Sequence, residues 1–524
     1  MSQKQLNEME NRLDADYAGC FPSAKGWERV AAHLLLAYDF TVRTAGTRVI
    51  DKMKYALMHT LRWGSTAPSC EFCGYPHQLD TSLFESCRAL LSRGAEYTGI
   101  CGAFISHYQG LVDVSHIDEN EVEFTQNPSW KAYDVLDERL AFRERQPSIQ
   151  LVQNLRRIAA GLVAGMNFGQ PDELMHWFPD FGTTRKLLSP VSKLLAKGLN
   201  LPQSWAFDGI SLLRMRAFWR ALLILGLIHC AVAYRLTGNA HTSFVQLLVK
   251  RKDDLADWIA ASVGIEKEVA LRLLDLHTYN RFHHVPDIAV TPFLPITNAI
   301  VAASPWMLVS SSFERNFCAH AARQHSKAYD DASGVLAPHL AKSLVTTFTA
   351  AGFQATHSIK LGGNQGDIDL FVWSPSERYV MASELKWVIA TADFMEVLNR
   401  GERRCKDAMQ GQVPKCARVL SIGADRLVAK AFQLGRNPTV DEWACGMIVR
   451  GFVGSPRIPS EHHFLLPEPL AKERLCEGTS LRDLCDWAKS KAYLPIEGRD
   501  FRMYQVDVTS PSGILVKFWE RHSE

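Results

Sequence analysis

Two neighbouring segments decide the fold of this chain: GDIDLFVWS, which begins at Gly366, and YVMASELKWV, which begins at Tyr379. Both are short, mostly apolar runs containing aromatic and β-branched residues, a composition typical of buried strands. Residues 375–378 separate them and begin with proline, which favours a tight turn. The two segments therefore predict a β-hairpin whose strands are largely buried.

Three charged residues lie within these apolar strands, at positions where their side chains can contact one another. Residues two apart on a strand point to the same face, so Glu384 and Lys386 share one face. Asp369 lies on the preceding strand and can stand beside them. Two carboxylates are a minimal protein contribution to octahedral Mg²⁺ or Mn²⁺, which takes water and phosphate oxygens as its other ligands. A surface hairpin with an i,i+2 ion pair is the alternative, and the apolar residues just before Glu384 argue against it.

At these residues the chain resembles the PD-(D/E)XK nuclease superfamily, whose members have the restriction-endonuclease-like fold. The resemblance covers about residues 310–422. Asp369 corresponds to the metal-binding aspartate of the family, and Glu384 and Lys386 correspond to its E-x-K, whereas the literal Pro-Asp is absent. The resemblance implies a metal-dependent endonuclease that hydrolyses phosphodiester bonds, of DNA rather than RNA. It also implies a role in defence against foreign DNA or in DNA repair.

Three further residues are site candidates. Asp367 could ligate the metal in place of Asp369, or it could cap the preceding turn. By the resemblance, Glu314 matches an acidic residue that relatives often supply from the first helix. Ser311 and Glu314 also form the S-x-x-E pattern of a capping box, so both interpretations stay open. In some relatives a glutamine at the end of the next helix lies near the site, which makes Gln410 a candidate.

A cluster of cations follows the second strand. Residues 400–418 carry six arginines and lysines against two acids, an excess of four charges in a chain whose net charge is only +2. A helix that presents this charge could contact a phosphate backbone. The predicted nucleic-acid contacts are Arg400, Arg403, Arg404 and Lys406. A solvated helix face is the alternative interpretation.

The surrounding pattern predicts an α/β domain with a mixed central sheet over residues 296–524. Helical periodicity covers 310–325, 338–351 and 392–412, and strands are expected at 353–361 and 417–422 in addition to the hairpin. Three consecutive strands followed by a helical crossover favour a sheet with both parallel and antiparallel neighbours. Further strands are expected near 444–453 and 503–508.

Residues 1–295 are predicted to be mainly helical, unlike the α/β domain that follows them. The chain is therefore predicted to be multidomain, as its length of 524 residues also indicates. Apolar residues recur at helical spacing in several stretches, namely 26–63, 149–164, 187–199, 211–236 and 243–263. Three prolines between residues 285 and 295 mark the expected boundary.

A cysteine pair in the helical region resembles half of a zinc site. Cys70 and Cys73 form a C-x-x-C followed by glycine, as in a zinc knuckle. A closed structural zinc site needs four ligands, and the nearby candidates are His77, Cys87 and Cys101. No second C-x-x-C is present, so ordinary buried cysteines are the alternative.

The rest of the composition restricts the possible binding partners and the cellular compartment of the protein. The polar N-terminus has no apolar signal region, and the most apolar run, 221–234, is too short to span a bilayer comfortably. With scattered cysteines, this predicts a cytoplasmic protein without a membrane partner. Nucleic acid is the expected partner, and the helical region is expected to assemble with further copies or with other proteins. The rival hypotheses are a nucleic-acid-binding protein that keeps the nuclease fold without cleaving, and a sensor or assembly protein.

Overall fold

The structure is a computed structural model that describes residues 3–45, 50–69, 79–166, 173–195, 199, 201–237, 243–283, 286–361, 366–388 and 394–522. The chain divides into two compact units. The first unit comprises Met1–Gln126, Arg145–His325 and Tyr504–Glu520. The second unit comprises Asn127–Glu144, Ser326–Met503 and Arg521–Glu524.

Helices dominate the described residues. They are α1 (Gln3–Ala18), α2 (Trp27–Ala45), α3 (Ile50–Trp63), α4 (Thr81–Tyr108), α5 (Pro128–Val163), α6 (Glu173–His176), α7 (Phe181–Leu195), α8 (Leu212–Thr237), α9 (Lys252–Val263), α10 (Lys267–Leu276), α11 (Pro305–Ser310), α12 (Phe313–Gln324), α13 (Ser326–Ser333), α14 (Leu336–Ala350), α15 (Phe394–Asp407), α16 (Val413–Ala431), α17 (Glu468–Cys476) and α18 (Leu481–Lys489). Short 3₁₀ turns cover Ser23–Lys25 and Phe244–Gln246, and a π-helical turn, Ala408–Gln412, joins α15 to α16.

The strands are short and are distributed over several sheets. They are β1 (Val114–Ile117), β2 (Glu121–Phe124), β3 (Ala206–Phe207), β4 (Ile210–Ser211), β5 (Leu248–Arg251), β6 (Leu294–Pro295), β7 (Ile300–Ala303), β8 (Gln354–Lys360), β9 (Asp367–Ser374), β10 (Tyr379–Trp387), β11 (Glu442–Arg450), β12 (Phe464–Pro467), β13 (Arg502–Thr509) and β14 (Leu515–His522).

The first unit is mainly helical, as the sequence predicts. A large core forms around α2, whose apolar residues recur every three or four positions and pack against α3 and α4. The expectation of helix throughout 243–263 is wrong at its beginning, because Leu248–Arg251 forms β5. One described helix, α8, is long and apolar enough to cross a membrane by length and composition alone. Since 78% of its apolar window is buried inside the fold, α8 has the character of a core helix.

The two units do not divide at the predicted boundary of residue 295. Strand β7 pairs with β5 across Leu248 and Ala303, which holds the segment after residue 295 in the first unit. At the other end of the chain, β14 pairs in parallel with β2, with Leu515 opposite Glu121. Sheet hydrogen bonds therefore bring two segments of the C-terminal half into the helical unit.

The second unit is built on a mixed five-stranded sheet in the order β12-β11-β10-β9-β8. Strands β8, β9 and β10 are antiparallel neighbours, whereas β10, β11 and β12 run parallel. The prediction of a mixed sheet is confirmed. Gly366 leads into β9 with φ of 85°, in the left-handed region that favours glycine.

The predicted strand at 417–422 is wrong, because this segment belongs to α16. Its apolar residues continue a helical spacing through Cys416, Leu420, Ala424 and Val428, which are buried. A short run of apolar residues has the same appearance in a buried strand and in a helix face, so periodicity over a longer window decides between them. The parallel neighbour of β10 is instead β11, which follows α16.

Candidate active site

The register of β9 and β10 brings the three charged residues of the hairpin together. Ser383 pairs with Leu370, so the next position along each strand sets Glu384 beside Asp369. Asp369 Oδ2 accepts a hydrogen bond from the peptide N–H of Leu385 at 2.9 Å. Lys386 Nζ donates to Glu384 Oε1 at 2.6 Å. The two carboxyl groups and the ammonium group therefore form one local cluster.

Burial sets the electrostatics of this cluster. Glu384 is only 9% exposed, and Asp369 is partly buried. Loss of hydration, together with the negative charge of Asp369, raises the pKa of Glu384 to about 7, although Lys386 opposes the shift. Loss of hydration also raises the pKa of Asp369, against the opposing effects of the Leu385 N–H and Lys386. Two such carboxyl groups resist simultaneous ionisation, and a bound cation would relieve that resistance.

A small cleft opens beside the cluster. Its lining combines carboxylate, amide, thiol and apolar groups, contributed by Asp367, Ile368, Ala382, Ser383, Glu384, Gln412, Val413, Cys416, Cys445 and Gly446. Asp367 is exposed at the start of β9 and lies in the same cleft. The structure thus places Asp367 near Glu384 in this cleft. Asp369, in contrast, is the carboxylate that accepts a hydrogen bond from the backbone of β10.

The glutamine that reaches the cluster is Gln412 rather than Gln410. Gln412 Oε1 accepts a hydrogen bond from Lys386 Nζ at 3.3 Å, and none of the described hydrogen bonds joins Gln410 to the cluster; both glutamines are exposed. Positions two apart on a helix point to different sides, so the two glutamines do not face the cluster together. The sequence offered no signal that separates them, because both fall between the buried residues Met409 and Val413.

Glu314 belongs to the first unit and serves there as a buried ion-pair partner. Its Oε1 accepts from Arg216 Nε at 2.5 Å, and the carboxylate is 2% exposed. The predicted capping box does not form, because Ser312 precedes α12 and the Ser311 hydroxyl donates to the carbonyl of Met307 instead. Glu314 and Asp369 therefore belong to different compact units.

The predicted basic contacts differ in their surroundings. Arg403 and Arg404 are exposed on α15 and make no ion pair with any residue that the structure describes. Lys406 instead pairs with Glu402 at 2.6 Å, and Arg457 holds the same carboxylate at 2.8 Å. The side chain of Arg400 lies outside the described part of the chain. Two of the four predicted cations are thus available to a phosphate backbone.

The predicted zinc ligands cannot all serve one ion. Cys70, Cys73 and His77 lie outside the described residues. Cys87 and Cys101 both lie on α4, fourteen positions apart, which separates them by about 21 Å along the helix axis. Since Zn–S bonds are about 2.3 Å long, the two thiols cannot share a zinc ion. Burial also raises the pKa of each of these thiols to about 12, which opposes the thiolate form that zinc requires.

The carboxyl pair suits a hard cation that keeps part of its hydration shell. Within the described ranges, no group of three or more His, Cys, Asp or Glu side chains is arranged to hold a metal ion. Mg²⁺ commonly binds through one or two carboxylates with water and phosphate completing the octahedron. Asp369 and Glu384 meet that smaller requirement, and the pKa of Glu384, which is raised mainly by burial, is shifted in the way that is common at functional sites.

Comparisons with protein-family models, with curated proteins and with solved structures find no match to this chain.

Proposed function

We propose that the second unit is a metal-dependent nuclease of the PD-(D/E)XK type that hydrolyses phosphodiester bonds. The observation that carries the proposal is the meeting of Asp369, Glu384 and Lys386 on neighbouring central strands of a mixed sheet. The alternation of helices and strands around that sheet also agrees with a restriction-endonuclease-like arrangement. A chance ion pair on a surface hairpin would not have an acid that is only 9% exposed.

Each residue of the cluster has a distinct part in the proposed reaction. Asp369 and Glu384 would hold Mg²⁺ or Mn²⁺, which when bound supplies Lewis-acid polarisation of the scissile phosphate. The Lys386 ammonium, anchored by Glu384 and Gln412, orients a water molecule for attack on phosphorus. The hydrogen bond from the Leu385 N–H fixes Asp369 against β10, so its carboxylate is positioned before any ligand arrives.

DNA is the substrate we propose, and defence against foreign DNA or DNA repair is the proposed role. Both come from the resemblance rather than from the geometry. The exposed Arg403 and Arg404 supply cations for a phosphate backbone in the same unit. The helical first unit is proposed to bind partner proteins or further copies of the chain. A non-cleaving nucleic-acid-binding protein is the competing function, and the intact carboxylate–carboxylate–lysine cluster argues against it.

A cleavage assay tests the proposed function directly. Purified protein is incubated with Mg²⁺, Mn²⁺ or EDTA on linear double-stranded, circular, single-stranded and RNA substrates. Metal-dependent products that EDTA abolishes support the nuclease. Binding without products under every condition would instead support the non-cleaving alternative.

The two aspartates of β9 are expected to differ in importance. Asp369→Ala removes the carboxylate bonded to β10 and should abolish both cleavage and Mg²⁺ binding, measured by titration calorimetry. Asp367→Ala removes an exposed carboxylate and should retain measurable activity. If Asp367→Ala is inactive and Asp369→Ala is active, Asp367 rather than Asp369 is the metal ligand.

Metal binding is expected to depend on pH through Glu384. Because the pKa of Glu384 is raised to about 7, Mg²⁺ must displace a proton at pH 6. The apparent Mg²⁺ affinity should therefore rise by about tenfold per pH unit below that pKa and level off above it. Calorimetry in buffers of different ionisation enthalpy measures the released proton.

The raised pKa of Glu384 also predicts how the free energy of unfolding of the metal-free protein depends on pH. A carboxyl group that keeps its proton longer in the fold than in the unfolded chain favours folding at low pH. That contribution should be lost as the pH rises through about 7. The difference in the free energy of unfolding between wild type and Glu384→Gln isolates this contribution, since the amide cannot titrate. A difference that does not vary between pH 5.5 and 8.5 would contradict the assignment.

Arg403 and Arg404 are expected to contribute to binding through counterion release. Reversing both to Glu should weaken nucleic-acid binding and reduce the slope of log affinity against log salt by about two. Fluorescence anisotropy over a range of NaCl concentrations measures the slope. Reversal of Arg436 and Lys489 in the same unit provides a control with the same change in charge. Equal effects of the two pairs would show that net charge, rather than this face of α15, is responsible.

A further inference from the structure

Two cysteines in contact with each other belong to the lining of the candidate cleft. Cys445 is on β11 and Cys416 is on α16, and the Cys445 thiol donates to Cys416 Sγ across 3.6 Å. Both are free and buried, with exposed fractions of 2% and 9%, and both line the cleft that contains Glu384. The lining of the cleft therefore includes this thiol pair as well as the carboxylates of Asp367 and Glu384.

The proposed nuclease reaction does not use these thiols. Soft sulfur ligands do not suit Mg²⁺, and the hydrogen bonds that the structure describes for Lys386 go to Glu384 and Gln412. Apolar side chains of similar volume would fill the space between α16 and β11 equally well. What distinguishes a thiol pair from such residues is its capacity for oxidation, and both cysteines are among the residues that line the cleft.

We propose that Cys416 and Cys445 form a reversible disulfide when a peroxide enters the cleft. Cys416, the more exposed of the two, attacks one peroxide oxygen as its thiolate; the O–O bond breaks, water leaves after protonation, and a sulfenic acid forms. The Cys445 thiol then attacks the sulfenic sulfur, the S–O bond breaks, and a second water leaves as the S–S bond forms. The two thiols are oxidised and the peroxide is reduced. A dithiol reductant reverses the reaction.

This bond would change the neighbouring site because of where the two cysteines are attached. A disulfide requires the sulfurs to approach to about 2.05 Å, which draws α16 and β11 together or rotates both side chains. Gln412 lies one helical turn before Cys416 on the same helix face, and it bonds to Lys386. The oxidised protein should therefore bind Mg²⁺ more weakly, by roughly tenfold, as expected when the supporting shell of a metal site is disturbed. The effect on Mg²⁺ binding rests on the metal site of the proposed nuclease function; the disulfide does not.

The experiment uses the full-length protein treated with hydrogen peroxide, then alkylated, digested with trypsin and examined by mass spectrometry. The expected product links the peptide Cys416–Arg418 to the peptide 437–450, with the loss of two hydrogen atoms. The linked peptide should disappear after dithiothreitol. Peptide mapping also separates this product from any disulfide between Cys70 and Cys73. Mg²⁺ affinity is measured on the same samples by calorimetry.

Matched variants complete the test. Cys416→Ser and Cys445→Ser should each abolish the linked peptide and keep Mg²⁺ affinity constant during peroxide treatment, whereas Cys405→Ser, a buried cysteine of α15, should behave as wild type. If either serine variant is unstable, the corresponding alanine variant replaces it. Failure to recover the linked peptide from folded, peroxide-treated wild type would overturn the proposal. A disulfide that leaves Mg²⁺ affinity unchanged would overturn its link to the site, while an absence of nuclease activity in untreated protein would bear on the proposed function alone.

Discussion

Replacing Lys386 with Ala is expected to reduce the rate of metal-dependent cleavage by roughly 10²- to 10⁴-fold, the range for loss of a positioned group that manages a proton. Lys386 is the cation that lies within 2.6 Å of Glu384, and it also contacts Gln412. Its removal takes away both the group that orients water and the charge that favours ionised Glu384. Single-turnover cleavage at saturating Mg²⁺ measures the effect on the reaction step.

The loss must be shown to be chemical rather than structural. Lys386 is only partly buried, so the alanine variant should keep its circular dichroism spectrum and its affinity for nucleic acid. Lys489→Ala, which removes a lysine from α18 in the same unit, is the control and should cleave at the wild-type rate. If Lys386→Ala cleaves at the wild-type rate, this lysine is not part of the active site, and the proposal of a nuclease loses support.

Glu314→Ala is expected to lower the free energy of unfolding by about 3 kcal/mol, near the lower end for breaking a buried ion pair. The change leaves the Arg216 guanidinium without the carboxylate that it donates to at 2.5 Å. The lower end applies because the Arg216 side chain keeps 25% of its surface exposed and can recover some hydration. Urea denaturation monitored by tryptophan fluorescence measures the loss, since Trp219 stacks on Phe313 beside this pair.

Two further variants separate a structural role from a catalytic one for Glu314. Replacing both partners with apolar residues, as in Arg216→Met with Glu314→Leu, should recover much of the lost stability, because no charge is left buried without a partner. If Glu314 acts only as an ion-pair partner, this stable double variant should retain cleavage. A folded double variant with no activity would return Glu314 to the candidate catalytic residues.

Local sequence patterns alone predict the hairpin and the alternation of its side chains, which together bring the site residues to one face. Apolar residues filling 379–382 require a buried strand, and a period of two then forces Glu384 and Lys386 onto one face. The turn at 375–378 is short, so the preceding strand pairs with this one and brings Asp369 alongside. Nothing distant along the chain was needed for this inference, because strand period and hairpin pairing are local properties.

Helix α16, which follows the hairpin, could not be predicted from local sequence alone. Residues 417–422 have a strand-like composition, but they lie in α16 because Cys416, Leu420 and Val428 together form the face that packs on the sheet. The choice between Gln410 and Gln412 depends on the same rotation about the helix axis, which the sheet fixes by burying Met409 and Val413. Packing against a partner surface decided both questions.

The unit that each distant segment joins depends on long-range pairing, which local sequence patterns do not predict. The pairing of β14 with β2 joins Leu515 to Glu121, and the pairing of β7 with β5 joins Ala303 to Leu248. The buried carboxylate of Glu314 likewise pairs with Arg216, almost a hundred positions earlier in the chain. These contacts form because short strands and buried charges must satisfy their hydrogen bonds somewhere in the fold, and no local pattern specifies with which segment.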